Sequence, residues 1–240
     1  MSDVLPVVPA GKAPAAKGRW FFLAVVLLMF AAIAYVESPR FFLVGFYHPP
    51  DFKSAVIHVH VAVVASWMLV LLAQAVLGWF RNYRWHRALG TAGMALAGLM
   101  LVMGMLATAD MLAREPEALH RAIVPFLQIT MFAFFAGLAY WKRADREAHK
   151  RLILLAMVDP LFGVLVPVTH RYMGSMEQYA NLSWVFLLLL AAYDLVTRRR
   201  LHPVTVWGSL LLIVVQDVRV PLGQTAAWTA VAEWMRSWNM

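Results

Sequence analysis

The sequence predicts an all-α fold, an integral membrane helical bundle of seven transmembrane helices with a cytoplasmic N-terminus and a periplasmic C-terminus. Hydrophobic residues make up 62% of the 240 residues and charged residues only 14%, whereas about a quarter of the residues in a soluble domain are charged. The apolar residues form seven nearly charge-free runs, and most basic residues lie between alternate runs. An excess of apolar residues in this pattern has to be buried in lipid.

Each of the seven runs is a candidate transmembrane helix, which needs about 20 mostly apolar residues. The runs lie at about 20–36, 54–79, 88–109, 122–141, 152–169, 180–197 and 203–220. The seventh is the weakest prediction, because it is short and ends with Gln216, Asp217 and Arg219.

These runs divide the chain into three segments. Residues 1–18 are rich in Pro, Ala and Gly and are expected to form a flexible cytoplasmic tail. Residues 19–222 form the membrane domain. Residues 223–240 are expected to form an interfacial amphipathic helix on the periplasmic surface, because apolar residues recur there at helical spacing. Those residues are Ala227, Val231, Trp234 and Trp238.

The basic residues predict a direction for each helix, because cytoplasmic loops of membrane proteins are enriched in Lys and Arg. A cytoplasmic N-terminus places fourteen of the 21 Lys and Arg residues on that side, in clusters at 12–19, 81–87, 142–151 and 198–200. These clusters suit membrane anchoring, so the net charge of +8 predicts a lipid bilayer as partner and no nucleic acid. The expected location is the bacterial inner membrane.

Missing residues exclude several kinds of chemistry. The chain has no cysteine, which excludes disulfides, iron–sulfur clusters and thiolate metal sites. No lysine follows Lys150, so no late helix offers the Schiff-base lysine of a retinal protein. The His-Glu-x-x-His pattern of a helical metalloprotease is absent too. Metal chemistry would therefore need His, Met or carboxylate ligands.

The eight histidines separate by depth once each helix has a direction. Near periplasmic helix ends lie His58, His60, His120 and His170; near cytoplasmic ends lie His86, His149 and His202; His48 is in the first periplasmic loop. Helices two to five therefore offer an outer pair, His60 with His120, and an inner pair, His86 with His149. The alternative is that these are interfacial residues, whose amphipathic rings suit the headgroup region.

The paired histidines resemble the ligands of the ascorbate-dependent transmembrane b-type cytochromes, in which four consecutive helices hold two haems through bis-His ligation. The resemblance covers about residues 54–170 and rests on spacing. It implies haem b as cofactor, with Arg87 or Arg171 neutralising propionates. His58 and His170 are further candidate metal ligands.

Helical spacing selects one of the two histidines that open the second helix. Positions two apart point about 200° apart on a helix, so only one of His58 and His60 faces the bundle. His60, Trp67 and Gln74 are spaced by sevens, and a polar stripe on a lipid-bound helix should face protein. We therefore expect His60 to face inward.

The third helix has a face of small residues, Gly90, Ala97 and Gly104, with Gly93 beside the first. Small residues allow a neighbouring helix to approach closely. They would equally allow a flat macrocycle to lie against the helix, and the spacing alone does not choose between the two explanations.

Asp159-Pro160 is the most specific polar feature, since it lies near the middle of the fifth run. An ionisable group at that depth is a candidate functional site. Asp followed by Pro is also a helix start, so we expect a broken or kinked helix with Asp159 as cap. The functional interpretation is proton or ion transport with Gln128 and Gln74. The structural alternative is a capping carboxyl hydrogen-bonded to one of those amides.

Two segments resemble a group of uncharacterised bacterial polytopic membrane proteins: HVAVVASWMLVLLAQ…RWHRALGTAG and REAHKRLILLAMVDPLFGVLVPVTHR. The resemblance consists of a His early in one helix, a His-Arg-x-x-Gly motif at the start of the next helix, and a later cytoplasmic His whose helix ends with an Arg. The matching residues are His60, Trp67, Gln74, His86, Arg87, Gly90, His149, Arg151 and Arg171. The resemblance implies no activity.

Three functions follow from these observations. The first is an inner-membrane redox or electron-transfer protein with haem b or a metal on helices two to five. The second is a small proton- or ion-coupled transporter centred on Asp159. The third is an accessory or assembly subunit with a membrane-protein partner or a second copy of the chain.

Overall fold

The computed structural model describes residues 17–37, 54–173 and 179–238, and within these all side chains except those of 17–19, 37, 116 and 166–182. The described part is helical and contains no strand. Its helices are α1 (Lys17–Glu37), α2 (Ala55–Trp79), α3 (Tyr83–Arg114), α4 (Ile123–Trp141), α5 (Arg146–Met173), α6 (Tyr179–Arg198), α7 (Pro203–Gly223) and α8 (Ala226–Arg236), with a 3₁₀ turn at Pro116–Ala118. The all-α prediction is confirmed. Residues 1–16 of the predicted tail lie outside the described residues, as does His48.

Each of the first seven helices overlaps one predicted run. Among the described helices, α2, α3, α4 and α7 are long and apolar enough to cross a membrane. The run at 203–220, the weakest by sequence, corresponds to α7, which is one of these four helices and continues to Gly223. Seven crossings and the orientation of the termini remain predictions.

The outer surface of the bundle is apolar. Leu69, Val102, Leu188 and Val196 are all more than half exposed, although such side chains normally lose their contact with water in a folded protein. An apolar surface spread over three helices suits contact with lipid acyl chains.

Helix α5 lies at the centre and packs against α1, α4, α6 and α7. Every side chain from Leu154 to Asp159 is buried, which is the pattern of a helix enclosed on all sides. Trp67 of α2 also reaches it, donating from Nε1 to the Met157 sulfur at 3.1 Å. Asp159, at the end of this buried stretch, therefore faces protein.

The expected break at Asp159-Pro160 is wrong. Helix α5 continues without interruption through Pro160 to Met173, so Asp159 does not cap a second helix. Proline removes one N–H from the helix ladder, but a proline inside a helix is tolerated in membrane bundles, where neighbouring groups satisfy the freed carbonyl. Asp159 is therefore free to bond to other helices.

The small-residue face of α3 is filled by side chains of its neighbours. A Cβ at Gly90 would lie 2.8 Å from the Gln74 amide nitrogen, and one at Gly104 would lie 2.6 Å from Cγ1 of Ile129. A Cβ at Gly93 would be 3.1 Å from Val70. Helix packing therefore explains this face, and in this structure α2 and α4 occupy the space a macrocycle would need.

The last helix lies against the bundle. Trp228, Ala232 and Met235 are buried, and Trp228 Nε1 donates to the backbone oxygen of Leu119 at 2.7 Å. The stripe identified from sequence points the other way, with Trp234 61% exposed. One face of α8 thus packs on protein, and the opposite apolar face is available to the headgroup region.

Candidate functional site

Helices α5 and α7 bring a carboxylate and a guanidinium together inside the bundle. Asp159 is 1% exposed and Arg219 is 6% exposed, and Arg219 Nη1 lies 3.9 Å from Asp159 Oδ1. That separation is longer than a hydrogen bond. The guanidinium also lies over the Phe162 ring, 3.9 Å from its centroid. The Asp159–Arg219 pair is therefore an ion pair without a close contact between its two groups.

Gln216 connects this pair to α6. Its amide oxygen accepts from Trp184 Nε1 at 2.7 Å, and its Nε2 donates to Ser183 Oγ at 3.1 Å and to Asp159 Oδ1 at 3.5 Å. Because Trp184 can only donate, the amide orientation is fixed with the nitrogen towards Asp159. Gln216 thus holds a donor beside the carboxylate.

A second buried ion pair lies at the basic end of the bundle, by which we mean the end formed by the loops 80–82, 142–145 and 199–202. Arg151 of α5 and Asp194 of α6 are both 0% exposed. Arg151 Nε and Nη2 both donate to Asp194, and Arg151 Nη1 donates to the Glu147 backbone and carboxylate at 2.8 Å each. All three nitrogens of the Arg151 guanidinium therefore donate hydrogen bonds.

Asp194 is equally well bonded. It also accepts from the Thr205 hydroxyl at 2.6 Å and from the His202 backbone N–H at 2.9 Å. Burial opposes ionisation of the neighbouring Glu147, but hydrogen bonds from Lys150 and Arg151 outweigh it and hold the pKa of Glu147 below its ordinary value. The Arg151–Asp194 pair is a closed structural network that ties α5, α6 and α7 together.

The inner histidine pair predicted from sequence comes together. The rings of His86 and His149 are 6.4 Å apart between centroids and nearly perpendicular. His86 Nδ1 lies 3.2 Å from the Gln74 backbone oxygen, and His149 Nδ1 lies 2.8 Å from the Ala139 backbone oxygen. Since a carbonyl only accepts, each Nδ1 carries a proton, so in a neutral ring the lone pair is on Nε2.

The protonation of His149 is set by its surroundings. Burial lowers the pKa of His149 below its ordinary value, and the nearby His86 and Lys150 lower it further, against the opposing Ala139 carbonyl. The neutral ring is therefore favoured, and a neutral imidazole is the form that binds metal.

The outer histidines do not form a comparable pair in the described contacts. His60 lies against the backbone of Met103 on α3, whereas His120 is exposed in the turn before α4. His58 is exposed and His60 is not, which agrees with the inward orientation expected for His60. The side chains of His170 and Arg171 lie outside the described residues.

The remaining predicted residues have local contacts. Gln74 donates from Nε2 to the His86 backbone oxygen at 2.9 Å, and exposed Arg87 donates to the Tyr83 carbonyl of its own helix. Gln128 lies against Gly163, one turn beyond Asp159 on α5, with its amide 3.3 Å from where a Cβ would be. Gln128 Nε2 has no hydrogen-bond partner among the described residues. The expected bond from Asp159 to Gln128 or Gln74 is thus replaced by one to Gln216.

Gln216 and Arg219 were missed as site residues because they close the weakest run. The depth of Gln216 could nevertheless be predicted. Asp159 lies thirteen residues after the first residue of α5, and Gln216 lies thirteen residues after the first residue of α7. Both helices start at the basic end and run in the same direction, so equal counts place the two residues at equal depth. Only the neighbour relation between α5 and α7 could not be known from the sequence.

Comparison of the chain with family models, curated proteins and solved structures gives no match. Among the described residues no group of three or more His, Asp or Glu side chains forms a metal site. The chemistry available is therefore that of a buried, loosely paired Asp159–Arg219 site and of a two-histidine pair.

Proposed function

We propose that this chain is a proton-coupled carrier of the bacterial inner membrane, with Asp159 as its protonatable group. One observation supports this above all: Asp159 and Arg219, from two different helices, are both buried in the bundle and yet 3.9 Å apart. An ionisable pair at that depth is costly to keep. Its loose geometry argues that stability is not what maintains it.

The Arg151–Asp194 pair supplies the comparison. When a buried pair serves structure, its desolvation is offset by close hydrogen bonds to every charged group, as Arg151 and Asp194 show. Asp159 accepts one long bond from Gln216 in the described part of the chain. A carboxylate held this loosely is suited to gaining and losing a proton.

Protonation of Asp159 would remove the charge that attracts Arg219 and so weaken the link between α5 and α7. A proton that favours one arrangement of two helices over another couples proton binding to a change of state. Among the described residues, the charged group that faces Asp159 is Arg219; Asp217, exposed on α7, acts on Arg219 in turn. A buried group whose protonation changes a contact between two helices is the minimum that a proton-coupled carrier needs.

Uptake into proteoliposomes tests the proposal. The purified chain is reconstituted with an alkaline interior and offered radiolabelled carboxylates, amino acids and inorganic ions, with and without nigericin to collapse the gradient. We expect gradient-dependent accumulation of at least one solute, lost in Asp159→Asn and retained in the exposed acid-to-amide control Glu233→Gln. Accumulation that survives Asp159→Asn, or no accumulation of any solute, contradicts the proposal.

A second candidate function, a haem b redox protein, is favoured by the His86–His149 geometry. Two imidazoles that bind one metal ion at about 2.0 Å each place their ring centroids about 6 Å apart, close to the 6.4 Å found. Their backbone-bonded Nδ1 atoms match the usual environment of metal-binding histidine. A site with two protein ligands suits haem iron, because the macrocycle supplies the remaining ligands. Haem bound there would give the chain one-electron chemistry.

The fit is partial, because side chains of α2 and α4 fill the glycine face of α3. A reduced-minus-oxidised visible spectrum of the chain purified from haem-replete cells tests this second function. A Soret shift that disappears in His86→Gln and in His149→Gln supports it. A spectrum without a Soret shift rules it out.

A further inference from the structure

Arg219 has more hydrogen-bond donors than the described residues use. A guanidinium carries five N–H donors in a planar fork. Among the described residues its contacts are the 3.9 Å approach to Asp159 and the Phe162 ring, and neither is a hydrogen bond. Arg151, on the same bundle, donates to three different acceptor groups.

The difference between the two arginines is not one of burial, since both are less than a tenth exposed. A buried guanidinium that lacks acceptors leaves its desolvation uncompensated. Among the described residues, the groups that face Arg219 are a carboxylate at 3.9 Å and an aromatic ring, and the ring attracts the cation without accepting a hydrogen bond from a particular N–H. The N–H donors that the described residues leave unused therefore fit an anion that arrives from outside the chain.

We propose that Arg219 is the recognition group for a small carboxylate anion, and that one proton enters on Asp159 with each anion. This inference rests on the carrier function proposed above and names its substrate class. A carboxylate matches the guanidinium fork with two parallel hydrogen bonds. The planar fork of Arg219 and the Phe162 ring beside it favour a flat, singly charged ligand.

The charges fix the stoichiometry. Without ligand, Asp159 balances Arg219. When a carboxylate binds Arg219, two negative groups would share one positive group in a buried site, and like charges there cannot both remain ionised. The proton is therefore taken up by Asp159, its charge disappears, and the anion replaces it as the partner of Arg219. One anion and one proton move together without net charge.

Gln216 has a positioning part in this exchange. Trp184 fixes the amide so that Nε2 faces Asp159 and Ser183. That donor stays beside Asp159 when Arg219 turns to the ligand, so the acid form keeps one bonded oxygen. Gln128, which lies against Gly163 one turn beyond Asp159 on α5, has a buried amide nitrogen without a partner among the described residues.

Binding and proton uptake are measured together on the full chain in detergent. Sodium acetate, butyrate and benzoate are titrated into weakly buffered protein containing phenol red, with sodium chloride as reference anion, and binding is followed by thermal stabilisation. We expect saturable binding of at least one carboxylate with about one proton taken up per anion, and no comparable effect of chloride.

Variants separate recognition from proton uptake. Arg219→Lys keeps the charge but loses the fork, so affinity should fall at least about tenfold; Arg219→Gln should abolish binding. Asp159→Asn mimics the protonated acid, so it should still bind the carboxylate while proton uptake disappears. Arg121→Gln, at an exposed arginine, is the matched control. Size-exclusion elution and helical circular dichroism check folding of each variant.

The results that overturn this inference differ from those that overturn the carrier. Equal stabilisation by chloride, or carboxylate binding that survives Arg219→Gln, sinks the assignment of Arg219 even if Asp159-dependent transport of another solute is found. Carboxylate binding with coupled proton uptake, but without transport in proteoliposomes, upholds the site and removes the carrier. Binding by Asp159→Asn with unchanged proton uptake removes Asp159 from the exchange.

Discussion

Arg151 on α5 and Asp194 on α6 form an ion pair in which neither side chain is exposed. The same helix carries Asp159 two turns further on, where its partner Arg219 is 3.9 Å away. One chain thus contains a closed buried pair and an open one. Substitutions in the two pairs should therefore have different consequences, the first for stability and the second for binding.

Arg151→Met should be among the most destabilising single substitutions in the chain. It leaves Asp194 buried with the Thr205 and His202 donors but without its counter-charge. Removing one member of a buried pair costs about 3–5 kcal/mol, which should appear as a large fall in the apparent melting temperature in detergent.

Two further variants complete this test. Arg198→Met, at a partly exposed arginine 3.9 Å from Glu147, should change the melting temperature little. Arg151→Met combined with Asp194→Asn should be more stable than Arg151→Met alone, because the unpaired buried charge is gone. A double variant no more stable than the single one would show that lost packing, not charge, dominates.

The sequence predicted features that depend on local periodicity. Hydropathy located the seven main helices, and the spacing of His60, Trp67 and Gln74 predicted the inward face of α2, on which Trp67 is 4% exposed. Helix direction alone placed His86 and His149 at the same end of the bundle. These features need no knowledge of which helices are neighbours.

The partners of Asp159 and Asp194 could not be predicted in the same way. Asp194 lies one turn before the basic cluster that begins at Arg198, yet it bonds to Arg151 on the preceding helix. Asp159 was assigned to Gln128 or Gln74, yet it faces α7, two helices later in the chain. Partner choice depends on three-dimensional packing, which hydropathy and charge spacing do not encode.

Gly104 and Gly98 lie on the same helix, but substitution by alanine should have opposite effects on stability at the two positions. A Cβ at Gly104 would lie within 3.1 Å of three Ile129 atoms, whereas one at Gly98 would meet nothing within 4 Å. Gly104→Ala should therefore lower stability by about 1–3 kcal/mol through overpacking. Gly98→Ala should raise it, by up to about 1 kcal/mol, through helix propensity.

The overpacking explanation has its own check. Ile129→Ala makes room at the contact, so the Gly104→Ala and Ile129→Ala double variant should lose less than the sum of the two single losses. Melting temperatures of all four proteins in one detergent measure this. Additive losses would place the strain somewhere other than at Ile129.

The stability of the chain should fall in mild acid because of His149, which precedes the predicted span at 152–169. Burial, with His86 and Lys150 nearby, lowers the pKa of His149 in the folded chain, while in the unfolded chain it is about 6.5. The unfolded state therefore binds the proton first. Stability is fully present above about pH 6.5 and is lost as the pH falls from there through the folded pKa.

His149→Gln tests this, because glutamine keeps a donor for the Ala139 carbonyl but does not titrate. The melting temperature of the variant should depend less on pH between about 7 and 5 than that of the parent. Burial also lowers the pKa of His202, with Arg151 and Arg198 adding to the effect, so some pH dependence should remain. A variant with the full dependence of the parent would assign the effect to His202.

Trp228 should decide whether α8 stays on the bundle. Its ring is 4% exposed, lies 5.2 Å from the Phe126 ring between centroids, and donates to the Leu119 carbonyl at 2.7 Å. Trp228→Ala removes this apolar contact and leaves that carbonyl without its donor, a loss of about 3–5 kcal/mol for the docked helix. Limited proteolysis in detergent should then cleave between Gly223 and Ala226 well before the parent is cut. Trp234→Ala, at the exposed side of the same helix, should leave the cleavage rate unchanged. Equal rates for the two variants would mean that the contacts of Trp228 do not hold α8 on the bundle.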